Sequence, residues 1–176
     1  MRSASSGKNW ELKMRKLILL TILAFTLRAQ TPPPATDLTA AEIQAFLNAL
    51  PRDKVSDLPI RVVDVGGYKV GVYGVFRPKN SVQEANVHET KITEVYQMLE
   101  GSATLVTGGK LINPRHVPAP GTSIRGDGIE GGVTRHVAKG DVIIIPGYLP
   151  HWWSKMDTDL VYLITRPDPE GKTKLK

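Results

Sequence analysis

His88, Thr90, Glu94, Tyr96 and Met98 are separated by even numbers of residues. On a regular strand such residues share one face. Met98 is apolar and marks that face as the interior. A histidine and a glutamate there must be paired with other groups or bound to a metal, because an unpaired buried charge is too costly. Further along, His151 and Trp153 share a face of their own strand in the same way. The chemistry on offer is metal ligation, proton transfer or hydrogen bonding to a polar ligand.

The elements that must carry these residues follow from hydrophobic period and punctuation. Residues 60–65, 69–76, 84–88, 93–99, 103–107, 133–137, 142–145, 151–155 and 160–166 read as short strands. Glycines at 66–67, 101 and 108–109 mark the turns between them. Ahead of the strands, Thr39 and Glu42 form a capping box, and a helix is expected over 40–50 with Ile43, Phe46, Leu47 and Leu50 on one face. Pro51 stops it. Residues 113–132 are rich in Gly and Pro and are expected to form one long loop over the mouth of the fold. Nine or so short strands argue for an antiparallel sandwich or barrel.

Composition narrows the function classes. The 176 residues include no cysteine, which excludes disulfides, thiolate metal sites and a cysteine nucleophile. The net charge of +6 suggests a nucleic-acid binder, but residues 1–29 hold +5 of it, six Lys or Arg against Glu11. Those residues read as an address. Arg15 and Lys16 precede an eleven-residue apolar run, 17–27, and Ala29 stands at a cleavage position. Met14 is the better start. The run is short for a bilayer span, which takes about 20 apolar residues, although retention as an anchor is the other outcome of such a pattern. The remainder carries only +1, so nucleic acid is not an expected partner. The expectation is export to the periplasm or beyond, with no membrane attachment after signal removal. The organisation is a signal peptide over 1–29, a Pro-rich linker and helix over 30–58, a barrel over 59–168 and a polar tail over 169–176.

The stretch His88-x-Thr90-x3-Glu94-x6-Gly101, followed by Gly140-x5-Pro146 and then His151, resembles the two motifs of the cupin superfamily. The resemblance covers residues 69–166. It implies an all-β fold, a double-stranded β-helix or jelly-roll barrel, with one short N-terminal helix. In that family two histidines and a glutamate of the first motif and a histidine of the second hold a divalent metal. The resemblance therefore implies His88, Glu94 and His151 as ligands to one ion, with Zn, Fe, Mn or Ni all suited to such a set. Thr90 stands where the family has its second histidine. Gly147 comes one position early, with Tyr148 in the place of the turn glycine.

Two readings follow. The first is an exported metal-binding protein acting on a small molecule as an oxygenase, lyase or isomerase, with Tyr96 as an acid/base group or hydrogen-bond partner to the substrate. The second is a metal-free module that binds a small polar ligand such as a sugar or organic acid, with Trp152, Trp153, Tyr148 and Tyr96 as stacking faces. A homodimer is expected of small barrels with open edges. His116 and His136 are expected at the surface, with a fourth-ligand role as the alternative. Arg77, Arg115 and Arg125 are candidates for an anionic substrate, against the commoner solvated role.

Overall fold

Thr39 caps a helix, α1 (Ala40–Asn48), as the capping box requires. Its hydroxyl accepts from the Glu42 amide at 3.2 Å, and the Glu42 carboxylate accepts from the Thr39 amide at 2.8 Å. The computed structural model describes residues 31, 33–117 and 123–172. The expected signal peptide, residues 30 and 32 of the linker, residues 118–122 of the expected loop and the last four residues of the tail lie outside these residues. From Pro33 onward the chain forms one compact unit.

Thirteen strands follow the helix. They are β1 (Ser56–Asp64), β2 (Lys69–Arg77), β3 (Ala85–His88), β4 (Glu94–Glu100), β5 (Ser102–Thr107), β6 (Lys110–Ile112), β7 (Arg115–Val117), β8 (Ser123–Gly126), β9 (Gly128–Glu130), β10 (Val133–Ala138), β11 (Val142–Ile145), β12 (His151–Met156) and β13 (Leu160–Asp168). One sheet runs β1-β2-β13-β4-β11 and the other β10-β5-β12-β3-β8-β7, with β6 and β9 as a separate ribbon. Every pairing is antiparallel. The chain passes between these two sheets from β2 to β3, β3 to β4, β4 to β5, β10 to β11, β11 to β12 and β12 to β13. That alternation makes the fold a double-stranded β-helix, the jelly roll expected from the motifs.

Period-two patterning does what it should. Along β4, Glu94, Tyr96 and Met98 are buried while Gln97 is exposed; along β11, Ile143 and Ile145 are buried while Val142 and Ile144 are exposed. Tyr73, Val75, Tyr96, Met98, Tyr162 and Ile164 from the first sheet meet Ala103, Leu105, Val137, Trp153 and Met156 from the second. The outer face of the first sheet is covered by α1, where Leu47 and Leu50 pack on Phe76 and Val161. Gly74 leaves room for that docking, since a Cβ there would lie 3.0 Å from both Leu47 and Phe46.

Segment 113–132 is not the single loop that its composition suggests. It contains β7, β8 and β9, three or four residues each. Each holds a single apolar residue, and β8 ends and β9 begins in a glycine that reads as a turn signal. Pairing with β3 and β6 rather than local pattern makes them strands.

Candidate metal and ligand site

The two sheets bring three side chains to one point near the end of the barrel. His88 closes β3, His151 opens β12 and Glu94 opens β4, so two come from the second sheet and one from the first. One ligand atom of each lies within 4.8 Å of the others. His88 Nε2 is 3.5 Å from Glu94 Oε1, and His151 Nε2 is 3.4 Å from Glu94 Oε2. The two imidazole rings sit 5.6 Å apart.

Glu94 is 1% exposed and is held from two further sides. Arg166 Nε donates to Oε1 at 2.7 Å and the Tyr96 hydroxyl donates to Oε2 at 2.8 Å. Burial pushes this carboxyl up. The Arg166 guanidinium, with His88 and His151, more than offsets that and holds it well below the usual carboxylate range. Tyr96 moves the other way: burial and the Glu94 charge push its hydroxyl well above the usual phenol range. It therefore keeps its proton. Arg166 also donates to both oxygens of Asp57 and lies 4.2 Å over the Tyr73 ring.

Hydrogen bonds settle which ring nitrogens are free to ligate. His151 Nδ1 lies 3.0 Å from the Leu149 carbonyl, which can only accept. Nδ1 therefore carries the proton, and the lone pair is on Nε2, toward Glu94. Burial lowers the His151 pKa, although Glu94 works against it, so the ring stays neutral. At His88, Nε2 lies 3.1 Å from the Asn86 amide nitrogen and Nδ1 lies 3.2 Å from the Ser123 hydroxyl. The same Nε2 faces Glu94 Oε1, so the Asn86 amide, Ser123 and Glu94 surround the ring.

The residues fit a cation. Two imidazole lone pairs and a carboxylate converge, and three acceptors facing one another need positive charge between them. In addition, the Asn86 Oδ1 atom beside His88 is buried without a hydrogen-bond partner, the only such side-chain atom among the described residues. A bound divalent ion would supply Lewis-acid polarisation of a ligand oxygen.

The cavity above this cluster has a volume of about 360 Å³. Tyr96, Trp152 and Trp153 line it as expected, together with Arg77 and Arg125, while Tyr148 and Arg115 do not. Arg115 is engaged with Glu84 and Asp127. His116 and His136 are at the surface, beside Glu89 and Asp157 respectively, and neither approaches the cluster.

Thr90 does not stand in for a missing histidine. It is buried away from the cavity, with its hydroxyl accepting from the Ile92 amide at 3.4 Å. The residue beside His88 on the same face of β3 is Asn86, which pairs with His151 across the strands. The turn before His151 departs as its sequence suggests. Tyr148 has φ +63°, a left-handed position that favours glycine. A Cβ on Gly147 would lie 2.2 Å from the Thr90 carbonyl.

Arg166, Asp57, Asn86 and Ser123 also belong to this site and were not singled out by residue type. Arg166 had a legible signal: it continues the buried series Leu160, Tyr162, Ile164 on β13, so a charge was due on an inward face.

No protein-family model matches the chain, and no curated protein matches it significantly. Solved structures do resemble it in shape. The DMSP lyase DddQ from Ruegeria pomeroyi matches with a TM-score of 0.45 and 14% identity, over 96% of this chain and 94% of that one. An RmlC-like cupin family protein with a double-stranded β-helix fold from Methanocaldococcus jannaschii matches with a TM-score of 0.42 and 13% identity, over 69% and 89%. Oxalate oxidase in complex with the substrate analogue glycolate matches with a TM-score of 0.45 and 14% identity, over 70% and 55%. The fold assignment rests on the strand order of this chain, and the site on its own atoms.

Proposed function

We propose that this chain is a cupin-type protein that binds one divalent metal ion through His88, Glu94 and His151 and acts on a small molecule in the cavity above them. The observation that carries this is the convergence of the three acceptor atoms, with the Leu149 carbonyl fixing the His151 tautomer for ligation. Oxygenase, lyase and isomerase chemistry all suit two histidines and a carboxylate with positions left for water and substrate. Tyr96 keeps its proton and donates a hydrogen bond to Glu94, so its part is that of a donor, orienting the carboxylate or meeting an anionic oxygen of the substrate.

A second reading has its own support. Arg166 already neutralises Glu94 at 2.7 Å, so the carboxylate is tolerated without a metal. In that case the cavity is a binding module for a small polar ligand. Elemental analysis separates the two. Protein purified without a His-tag should carry about one Zn, Fe, Mn or Ni per chain, and His151→Ala should lose it while staying folded. Absence of metal after reconstitution, or equal metal in the variant, would overturn the metal reading.

We also place the chain outside the cytoplasm, on the charged and apolar pattern of residues 14–29. Cell fractionation with N-terminal sequencing checks this. The homodimer expectation is supported by the edge strand β11, which exposes Val142 and Ile144. Sedimentation of Ile144→Lys beside the wild type tests it; a monomer in both cases removes the idea.

A further inference from the structure

The cavity's charges divide unevenly among its arginines. Six charged residues other than histidines line it: Asp57, Glu84 and Glu94 against Arg77, Arg125 and Arg166. The three carboxylates are all engaged. Arg166 takes Glu94 and both oxygens of Asp57, and Arg125 takes Glu84, which Arg115 holds as well. Arg77 has no carboxylate in contact. Its Nε donates to the Tyr162 hydroxyl at 2.8 Å, one terminal nitrogen donates to the Gln83 side-chain oxygen at 2.8 Å, and both partners are neutral. Asp57 is near enough to favour its charge, yet both Asp57 oxygens belong to Arg166.

Arg77 is half-buried, and its guanidinium lines the cavity with only neutral hydrogen-bond partners, so water or an anionic ligand completes its hydrogen bonding. The pairing it lacks is what an anionic ligand provides, and the second terminal nitrogen of Arg77 has no hydrogen bond. Val55, Val82, Trp152 and Trp153 give the otherwise polar wall its apolar and aromatic part. A ligand that suits Arg77 and these side chains has one carboxylate and a short body. A phosphate is a poorer match: one free guanidinium edge is offered, with no helix N-terminus or loop of backbone amides behind it. The volume of about 360 Å³ is at the small end for ligand pockets.

We propose that the ligand of this cavity is a small monocarboxylate whose carboxyl group is held by Arg77. Gln83 is the positioning residue: its side chain holds Arg77 and its carbonyl accepts from the Trp152 indole at 2.8 Å. The inference rests on the proposed function only in taking this cavity as the place where the small molecule binds.

An NMR titration of the full chain tests it, with butyrate and its neutral isostere butyramide as probes. The Trp152 indole N–H signal is the readout, in chelator and again in excess zinc. Butyrate should shift it in the millimolar range, and butyramide should bind about tenfold more weakly or not at all. Arg77→Gln should erase that difference while leaving zinc content unchanged, and Arg77→Lys should keep part of it. Equal binding of the two probes, no binding of butyrate, or a difference that survives Arg77→Gln would overturn the proposal. The comparison of probes on the wild type needs no variant to fold. Discrimination in a chain that holds no metal would sink the metal reading alone; zinc binding without discrimination would sink this one alone.

Discussion

Glu94 is claimed by more partners than one carboxylate usually serves. Arg166 and Tyr96 each hold an oxygen, and two imidazoles face it from the opposite sheet. The guanidinium makes the buried charge tolerable, and a metal ion at the same carboxylate would share that task. The variant Arg166→Gln separates these contributions. In chelator it leaves Glu94 buried without its cation, a loss of about 3–5 kcal/mol for a broken buried pair. In excess zinc the loss should be clearly smaller, because the ion supplies the missing positive charge. Urea unfolding in the two conditions gives both numbers. An equal loss with and without zinc would mean that the metal does not touch Glu94. Arg166 and Asn86 also show where reading by residue type stops. The inward parity of Arg166 was legible on its strand, but its partners Glu94 and Asp57 lie 72 and 109 residues away and no local pattern connects them. Asn86 carries no signal of its own in the sequence, because the motif spacing points to Thr90, two residues on the other side of His88.

At the scale of elements, turns decide whether the strands meet, and two motif glycines do so differently. Gly101, between β4 and β5, has φ +86°, and Gly140, before β11, has φ +94°. Both backbones favour glycine. A Cβ on Gly101 would lie 2.0 Å from the Asp159 carbonyl, whereas nothing lies within 4 Å of one on Gly140. Gly140→Ala should therefore cost only the left-handed conformation, about 1–2 kcal/mol. Gly101→Ala must in addition displace the chain before β13, and should melt at a distinctly lower temperature than Gly140→Ala. Melting curves that coincide would show that the turn yields without resistance. The same elements explain what was legible. The nine expected strands are legible because runs of apolar and β-branched residues bounded by turn residues mark them, and α1 because its cap is written in two residues. The strands β6, β7, β8 and β9 are not, because each holds only one or two apolar residues, and β8 and β9 find their partners in β3 and β6 rather than in the next strand.

For the whole molecule, the candidate site is a link between the two sheets. Glu94 belongs to the sheet of β4, while His88 and His151 belong to the sheet of β3 and β12. A metal held by all three would tie the layers together at one end of the barrel, where they are otherwise joined by side-chain packing and by chain crossings. In the unfolded chain His151 is distant from the other two, so the ion favours the folded state almost alone. Linkage then gives about 2.7 kcal/mol at a free metal concentration one hundred times Kd. For a domain of this size that corresponds to a rise in Tm on the order of 10 °C. Thermal unfolding of the metal-loaded protein, before and after a strong chelator, should show that difference. His151→Ala should show none, since it removes one of the three ligands and with it the bound ion. A chain that binds one ion per molecule yet melts at the same temperature with and without it would bind that ion equally well unfolded, and the two-sheet site would have to be abandoned.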